Sequence, residues 1–132
     1  MKILNPATNT LIADVPQDGP ATVRRKYERA RAAQPRWAAT PIARRLQTIS
    51  ALRERIVAMQ ETLARTLTRE VGKPIRQSRN ELKGLLTRLD FFVAEGERAL
   101  REEKVFADEK QKLEERISHE PLGVIANVSA WN

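Results

Sequence analysis

The sequence predicts an α+β fold that is predominantly helical, with an N-terminal β-hairpin, long antiparallel helices and C-terminal strands. Three observations support this fold class: strand-like alternation near the N terminus, two long apolar stripes with helical spacing in the middle, and a β-branched run near the C terminus. With 132 residues, of which 41% are hydrophobic and 31% charged, the chain is long enough for one modest core.

Residues 2–15 predict two short strands joined by a turn. The dipeptide Asn5-Pro6 and the Asn- and Thr-rich residues after it favour turn geometry, and the apolar residues that follow recur at strand period. A first helix is expected next, with Thr22 as its N-cap. Pro35 is expected to end or kink that helix, because proline lacks the backbone N–H that a helix interior uses.

Two long apolar stripes predict two long helices, which should pack antiparallel because only Gly72-Lys73-Pro74 separates them. The first helix is expected to start with Thr40 as cap and Pro41 as first residue, and to run unbroken for about seven turns. Gly72 suits a left-handed turn at its end. Gly84 and Gly96 interrupt the second stripe, which predicts close approach of another backbone there.

The pattern changes to strands after Lys104. Residues 108–112 form a polar turn or loop, and residues 115–120 alternate like a strand. Residues 124–128 form a β-branched run typical of a strand that is buried on both faces of a parallel sheet. Because such a strand needs neighbours, this run predicts a sheet that the chain does not complete by itself.

Composition restricts the possible functions. The chain has no cysteine, which excludes a thiolate nucleophile, a disulfide and a cysteine metal site within these residues. No apolar run approaches the roughly 20 residues that span a bilayer, and no secretory signal is recognisable, so we expect a cytoplasmic protein without membrane contacts. No metal site is expected, and His119, the single histidine, is interpreted as a surface residue. Glycine-rich phosphate loops are absent.

The net charge of +7 is unevenly distributed. Residues 20–90 hold 17 Lys/Arg against 6 Asp/Glu, whereas residues 91–132 hold 6 against 9. A basic block of this kind can attract nucleic acid, or it can be a solvated or internally paired helix surface. Because no nucleic-acid-binding motif accompanies the charge, we expect no nucleic-acid partner.

Four short motifs occur in order along the chain, and together they resemble the N-terminal portion of the NAD(P)-dependent aldehyde dehydrogenase superfamily. Each alone is weak, but their order and spacing match the family. The motifs are Asn5-Pro6-Ala7-Thr8; Trp37 followed by Arg44 or Arg45 and Leu46; Glu70-Val71-Gly72-Lys73-Pro74 with Glu81; and Glu120-Pro121-Leu122-Gly123-Val124 leading to Trp131-Asn132.

The resemblance implies that the chain is an incomplete piece of an aldehyde dehydrogenase-like fold. Residues 1–121 would be its helical and hairpin N-terminal region, and residues 122–132 the first strand of a truncated nucleotide-binding domain. Ala130 stands where many members have proline, and Gln77-Ser78 replaces a frequent glutamate-alanine pair. These departures leave the particular aldehyde open.

The resemblance also implies a function, namely the oxidation of an aldehyde to a carboxylic acid with NAD or NADP. Asn132 would stabilise the oxyanion that forms when a cysteine thiolate attacks the aldehyde. Cofactor-binding residues would be Ser129, Ala130, Trp131 and Asn132 at the nicotinamide end. Because the chain has no cysteine, we expect it to be inactive alone and to need no cofactor alone, with cofactor and aldehyde binding only to the full-length parent.

Structural interpretations of the same residues remain open. Trp131 is then a packing residue and Asn132 a polar terminus, while Glu70 and Glu81 make helix-surface or subunit contacts. The alternative function is a stand-alone helical self-association module without catalysis. Both the fragment of an aldehyde dehydrogenase-like fold and the self-association module are expected to form a homo-oligomer. Its buried contacts would come from Leu85, Leu89, Phe92 and the terminal strand.

Overall fold

The computed structural model describes residues 1–129 and confirms the predicted fold class, because four helices lie between two small β-hairpins. The elements in chain order are β1 (Lys2–Leu4), β2 (Leu11–Asp14), α1 (Pro20–Ala38), α2 (Ile42–Ala58), α3 (Gln60–Val71), α4 (Ile75–Ala99), β3 (Glu103–Asp108) and β4 (Leu113–Ile117).

The N-terminal hairpin forms as predicted, with β1 antiparallel to β2 and Ile3 opposite Ala13. Its turn is built by Asn5, whose Oδ1 accepts a hydrogen bond from the Ala7 N–H at 2.9 Å. The Asn5 N–H donates in turn to the Thr10 carbonyl, also at 2.9 Å. The side chain of Asn5 therefore replaces the backbone partners that the chain loses where it reverses direction.

Helix α1 differs from the prediction at its start, and of the two outcomes predicted at Pro35 it excludes one. It begins at Pro20 after Gly19, so Thr22 is not its N-cap. Proline is tolerated there because the first helical N–H has no partner anyway. Pro35 does not end the helix, which continues to Ala38. Thr40, predicted to cap the next helix, instead donates from its Oγ1 to the Arg36 carbonyl at 2.9 Å and so satisfies the end of α1.

The predicted seven-turn helix is divided at Met59 into α2 and α3. Met59 has φ −107° and ψ 7°, and its N–H donates to both Arg55 and Ile56 carbonyls at 3.1 and 3.2 Å. The hydrogen bonding tightens there to a three-residue spacing, which marks an interruption of an α-helix. The apolar stripe continues across the break because α2 and α3 both pack against α4.

The prediction for Gly72 is confirmed, whereas neither Gly84 nor Gly96 is approached by another backbone. Gly72 ends α3 with φ 80°, in the left-handed conformation that glycine favours. At Gly96 a Cβ atom would lie 2.9 Å from Leu46 Cδ2, so close approach does occur there, although the partner is a side chain. A Cβ on Gly84 would meet no atom within 4 Å, so that glycine serves no close approach.

The C-terminal hairpin was predicted only in part. Strand β3 was not expected, and β4 begins earlier than the predicted strand at 115–120. The expected polar turn between the two strands is present, and the Asp108 Oδ1 accepts from the Lys110 N–H at 2.9 Å and the Gln111 N–H at 3.2 Å.

The run at 124–128, predicted to be a strand whose sheet the chain does not complete, pairs with no strand within residues 1–129. Residues 118–129, here termed the exit segment, contain no helix or strand, and Val128 is 93% exposed. A strand requires hydrogen-bonding neighbours, and no strand within residues 1–129 lies beside this segment. The β-branched residues at 124–128 favour burial, and they can be buried as a strand only when neighbouring strands pair with them.

The core is small and lies between α3 and α4. Of residues 1–129, only Ala64, Ser78 and Leu82 are buried, with exposures of 0%, 0% and 8%. Ser78 and Thr68 form a hydroxyl–hydroxyl hydrogen bond of 2.8 Å in this core. None of the helices within the described range combines the length and apolar character needed to cross a bilayer.

Candidate functional site

Of the four residues predicted to line the nicotinamide end, the structure describes only Ser129. Ser129 lies at the exposed end of the exit segment, where its Oγ donates to Asn127 Oδ1 at 3.3 Å. Ala130, Trp131 and Asn132 lie outside the described residues. A single exposed serine provides neither a cleft nor phosphate-binding groups, so the described residues alone do not fit a dinucleotide. The assignment of this site stays a prediction.

Two of the four sequence motifs contact each other at the corner between α3 and α4. Pro6 of the N-terminal turn packs on Gly72, where a Cβ atom would lie only 2.7 Å from Pro6 Cγ. The Asx turn at Asn5 positions Pro6 against Gly72. Because Gly72 has no Cβ atom and adopts a left-handed conformation, the proline ring fits beside it. The contact fixes the N-terminal hairpin to the helical layer.

The Gly-Lys-Pro motif and its downstream glutamate form an ion pair. Lys73 Nζ lies 2.5 Å from Glu81 Oε2, and the Lys73 side chain is only 14% exposed. The lysine stem is thus covered while its charge reaches a carboxylate two turns along α4. Glu81 therefore makes a helix-surface contact, as one of its structural interpretations predicts, and the pair braces the start of α4.

The tryptophan–arginine motif left open which arginine is the relevant one, and the structure distinguishes them. Arg44 is exposed and its Nη1 donates to Gln47 Oε1 at 3.1 Å. Arg45 is turned inward, and its buried Nε has no hydrogen-bond acceptor among residues 1–129. A buried donor without an acceptor costs about 1–3 kcal/mol, which is a large penalty for a single side chain such as Arg45.

Arg45 lines a cavity of about 410 Å³ between the helical layer and the exit segment. The end of α1, the start of α2 and Leu100 form one wall, and His119, Glu120 and Pro121 form the other. His119 is exposed, as expected. Sequence reasoning had no signal for this cavity, because the segments that form it are far apart along the chain.

Two further ion pairs join α4 to the preceding helices. Arg53 of α2 makes a two-point contact with Asp90, in which Nη2 lies 3.1 Å from Oδ2. Arg79 of α4 makes a similar contact with Glu61 at 2.9 and 2.8 Å, and Arg65 reaches the same carboxylate at 3.0 Å. Part of the basic block is therefore paired internally.

These contacts lower the pKa of the carboxyl groups. The hydrogen bond from Arg53 holds the pKa of Asp90 below its ordinary value of 3.8, and the hydrogen bond from Arg79 holds that of Glu61 below 4.5. The pKa of Glu114 in the C-terminal hairpin is lowered by Lys104 first and by Arg116 second. All three groups are at the surface, where solvent screens such pairs.

We expect stability to fall in acid through these pairs. A carboxyl whose pKa is depressed in the folded state stabilises the fold above its unfolded pKa, and this contribution is lost as the pH falls below 4.5 and 3.8 towards the folded values. Thermal unfolding between pH 6 and about pH 2 measures the effect. Asp90→Asn should flatten part of the decline, and Glu97→Gln is the control because Glu97 is exposed and takes part in none of the ion pairs found among residues 1–129. Parallel curves for wild type and Asp90→Asn would contradict the expectation.

Residues 1–129 contain no group of three or more His, Asp or Glu side chains that could hold a metal ion.

Comparison with known proteins decides the family. The model of the aldehyde dehydrogenase family matches residues 1–132, which is the whole chain. The chain belongs to the aldehyde dehydrogenase family. Its resemblance to an N-terminal portion of this family is thereby confirmed, and the contact between Pro6 and Gly72 joins two of the motifs on which the resemblance depends.

Similar proteins include 3,6-anhydro-alpha-L-galactose dehydrogenase from Streptomyces coelicolor, which is 32% identical over 132 residues, and glutarate-semialdehyde dehydrogenase from Pseudomonas putida, 30% identical over the same length. All of this chain is covered in both comparisons, but only 26% and 27% of the relatives. The chain therefore spans about a quarter of the length of the relatives that it matches.

Solved structures agree with the fold. Aldehyde dehydrogenase 21 from Physcomitrella patens, determined in complex with succinate, is 28% identical with a TM-score of 0.76, covering 83% of this chain and 22% of that one. A second structure, described by its cofactor and substrate selection (Gox0499), has a TM-score of 0.82 at 21% identity, covering 92% of this chain and 26% of its own. The latter likeness concerns the fold alone.

Proposed function

We propose that the chain is the N-terminal part of an enzyme that oxidises an aldehyde to a carboxylic acid with NAD or NADP. The observation that carries this proposal is the family match over residues 1–132. The cofactor would supply a hydride acceptor to the full-length protein. The alternative, a stand-alone self-association module, draws no support from the comparisons.

The role proposed for this chain is to supply Asn132 to the reaction site. An asparagine N–H donor directed at a developing oxyanion stabilises the transition state more than the ground state, which lowers the barrier. The nucleophile must be a cysteine elsewhere in the longer protein, because residues 1–132 contain none. Ser129, Ala130 and Trp131 are proposed to line the nicotinamide end beside it.

A chimera tests the proposal. Residues 1–132 would replace the corresponding quarter of the Pseudomonas putida glutarate-semialdehyde dehydrogenase, and NAD(P)H formation would be followed with glutarate semialdehyde. Several relatives are named as semialdehyde dehydrogenases, so a semialdehyde is the first substrate to test. In this chimera Asn132→Ala should lower kcat by about 10²–10³-fold.

Asn127→Ala is the matched control for the chimera, since Asn127 is an exposed asparagine five residues earlier whose Oδ1 accepts a hydrogen bond from the Ser129 hydroxyl. It should leave kcat near the value of the parent chimera. Equal rates for Asn132→Ala and Asn127→Ala in a folded, active chimera would overturn the proposed role of Asn132.

We expect the isolated chain to show no aldehyde dehydrogenase turnover. Without a thiol no covalent adduct with the aldehyde can form, and an oxyanion donor alone offers no covalent route. The measurement is NADH and NADPH formation with short and aromatic aldehydes at high protein concentration. Turnover that persists after removal of contaminating full-length enzyme would contradict the expectation.

We also propose that the chain forms a homo-oligomer, because large apolar side chains are exposed. Phe91 and Phe92 are each 59% exposed, Leu85 is 39% exposed, and Leu89 is only half-buried. Sedimentation over a salt series measures the mass, and association should strengthen with salt because screening reduces repulsion between chains of charge +7. A 15.0 kDa monomer at every concentration and salt would contradict this prediction.

A further inference from the structure

The cavity between the helical layer and the exit segment is lined by both an arginine and a glutamate, and the arginine is half-buried with its Nε shielded from solvent. Arg45 comes from the first turn of α2, and Glu120 comes from the exit segment on the opposite wall. The cavity also contains His119 and Thr40. Arg45 and Glu120, the charged residues on its two walls, are 75 residues apart along the chain, so a contact across the cavity ties the C-terminal segment to the helices.

Arg45 needs an acceptor that the helical layer does not provide. Its Nε, which is shielded from solvent, has no hydrogen-bond acceptor among residues 1–129. Glu120 is the carboxylate that lines the same cavity, and none of the ion pairs found within the described residues includes it. A guanidinium fork and a carboxylate form a strong and directional pair when they meet.

We propose that Arg45 is a positioning residue, which holds the exit segment against the junction of α1 and α2 through the carboxylate of Glu120. The contact is made by movement of these two side chains across the cavity, directly or through one bridging water. Pro121 stiffens the backbone immediately after Glu120, so that fixing Glu120 also fixes the direction in which the chain leaves the helical layer.

A second contact places the next part of the segment beside α1. Gly123 has φ 95°, and a Cβ atom on it would lie 3.7 Å from Arg31 Nη1. The exit segment thus runs past one arginine of α1 and one of α2 within five residues. Arg44, adjacent to Arg45 in sequence, does not line this cavity, and its Nη1 donates to Gln47 instead.

The contribution to catalysis rests on the proposed function, because the exit segment leads to Asn132. Holding residue 120 limits the positions that Asn132 can reach, and an oxyanion donor acts only when it is placed within hydrogen-bond distance. The ordering of residues 119–123 does not rest on the proposed function. The two claims therefore have separate readouts.

The decisive experiment measures ¹⁵N relaxation of the whole 132-residue chain, with order parameters at His119 and Gly123. His119 is the single histidine, so its ring also gives one assigned signal beside the cavity. Glu120→Gln and Arg45→Met should each lower these order parameters from about 0.8 to below about 0.6 and shift the His119 ring signal. Arg44→Met is the matched control and should change neither.

Glu120→Gln keeps the proposal testable even if Arg45→Met disturbs folding, because Glu120 is exposed and lies outside every helix and strand. The double variant should lose no more order than either single variant, as expected for two partners of one contact. Order parameters that stay at the wild-type value in Glu120→Gln, or that fall equally in Arg44→Met, would overturn the proposal. In the chimera, Glu120→Gln should lower kcat about tenfold with little change in KM; if only this second result fails, the link to Asn132 is wrong and the ordering stands.

Discussion

Replacing Gly72 with alanine should destabilise the chain by about 2–5 kcal/mol. A left-handed conformation costs a residue with a Cβ about 1–2 kcal/mol, and Gly72 has φ 80°. The added Cβ would also lie 2.7 Å from Pro6 Cγ, a distance at which the ring or the backbone must move, at a cost of about 1–3 kcal/mol. Urea unfolding followed by far-ultraviolet circular dichroism measures the change.

The chain offers a matched control for this prediction. Gly84 lies inside α4 with no atom within 4 Å of a built Cβ, so Gly84→Ala should raise stability by up to about 1 kcal/mol through helix propensity. A second variant separates the two costs at Gly72, since Pro6→Gly combined with Gly72→Ala removes the collision and keeps the backbone strain. Equal effects of alanine at positions 72 and 84 would show that the hairpin is not fixed at this corner.

Leu82→Ala should cost about 2–5 kcal/mol, because Leu82 is the one large apolar side chain among the three buried residues of the described chain. Removing it leaves a cavity beside Ala64 and Ser78, which α3 and α4 cannot close without moving. With so small a core, the expected loss is comparable to the stability of a typical small domain. The variant should therefore unfold at much lower urea or fail to unfold cooperatively.

Leu52→Ala provides the comparison for Leu82, since Leu52 lies on α2 and is 50% exposed. Its truncation should change the free energy of unfolding by less than about 1 kcal/mol. Both variants are compared at low protein concentration, so that association does not add to the measured stability. Similar losses for the two leucines would mean that the apolar surface of α2 is covered in solution.

The features predicted correctly from the sequence are those that local chemistry determines. The turn at Asn5-Pro6 follows from a side chain that satisfies its own backbone, and the end of α3 at Gly72 follows from the conformational freedom of glycine. The amphipathic stripes correctly located the helices that pack on each other. The family motifs identified the protein class because their order extends over the whole chain.

The features that were missed depend on tertiary partners. The apolar stripe through Met59 indicates which face of a helix is apolar, but it does not indicate whether the helix is continuous. The division into α2 and α3 at Met59 could therefore not be predicted from it. The run at 124–128 reports a need for burial on two faces, and within residues 1–129 no neighbouring strand satisfies that need. For Arg45, adjacent arginines are indistinguishable in sequence until the helix face is known.

The hydrogen bond between Thr68 and Ser78 couples the two positions energetically. Ser78 is fully buried, and its hydroxyl meets the Thr68 hydroxyl at 2.8 Å. Alanine at position 78 alone would leave the threonine hydroxyl at the α3–α4 interface without this partner, and an apolar residue at position 68 alone would leave the buried serine hydroxyl without one. Replacing both residues by apolar ones should therefore cost less stability than the two single replacements added together.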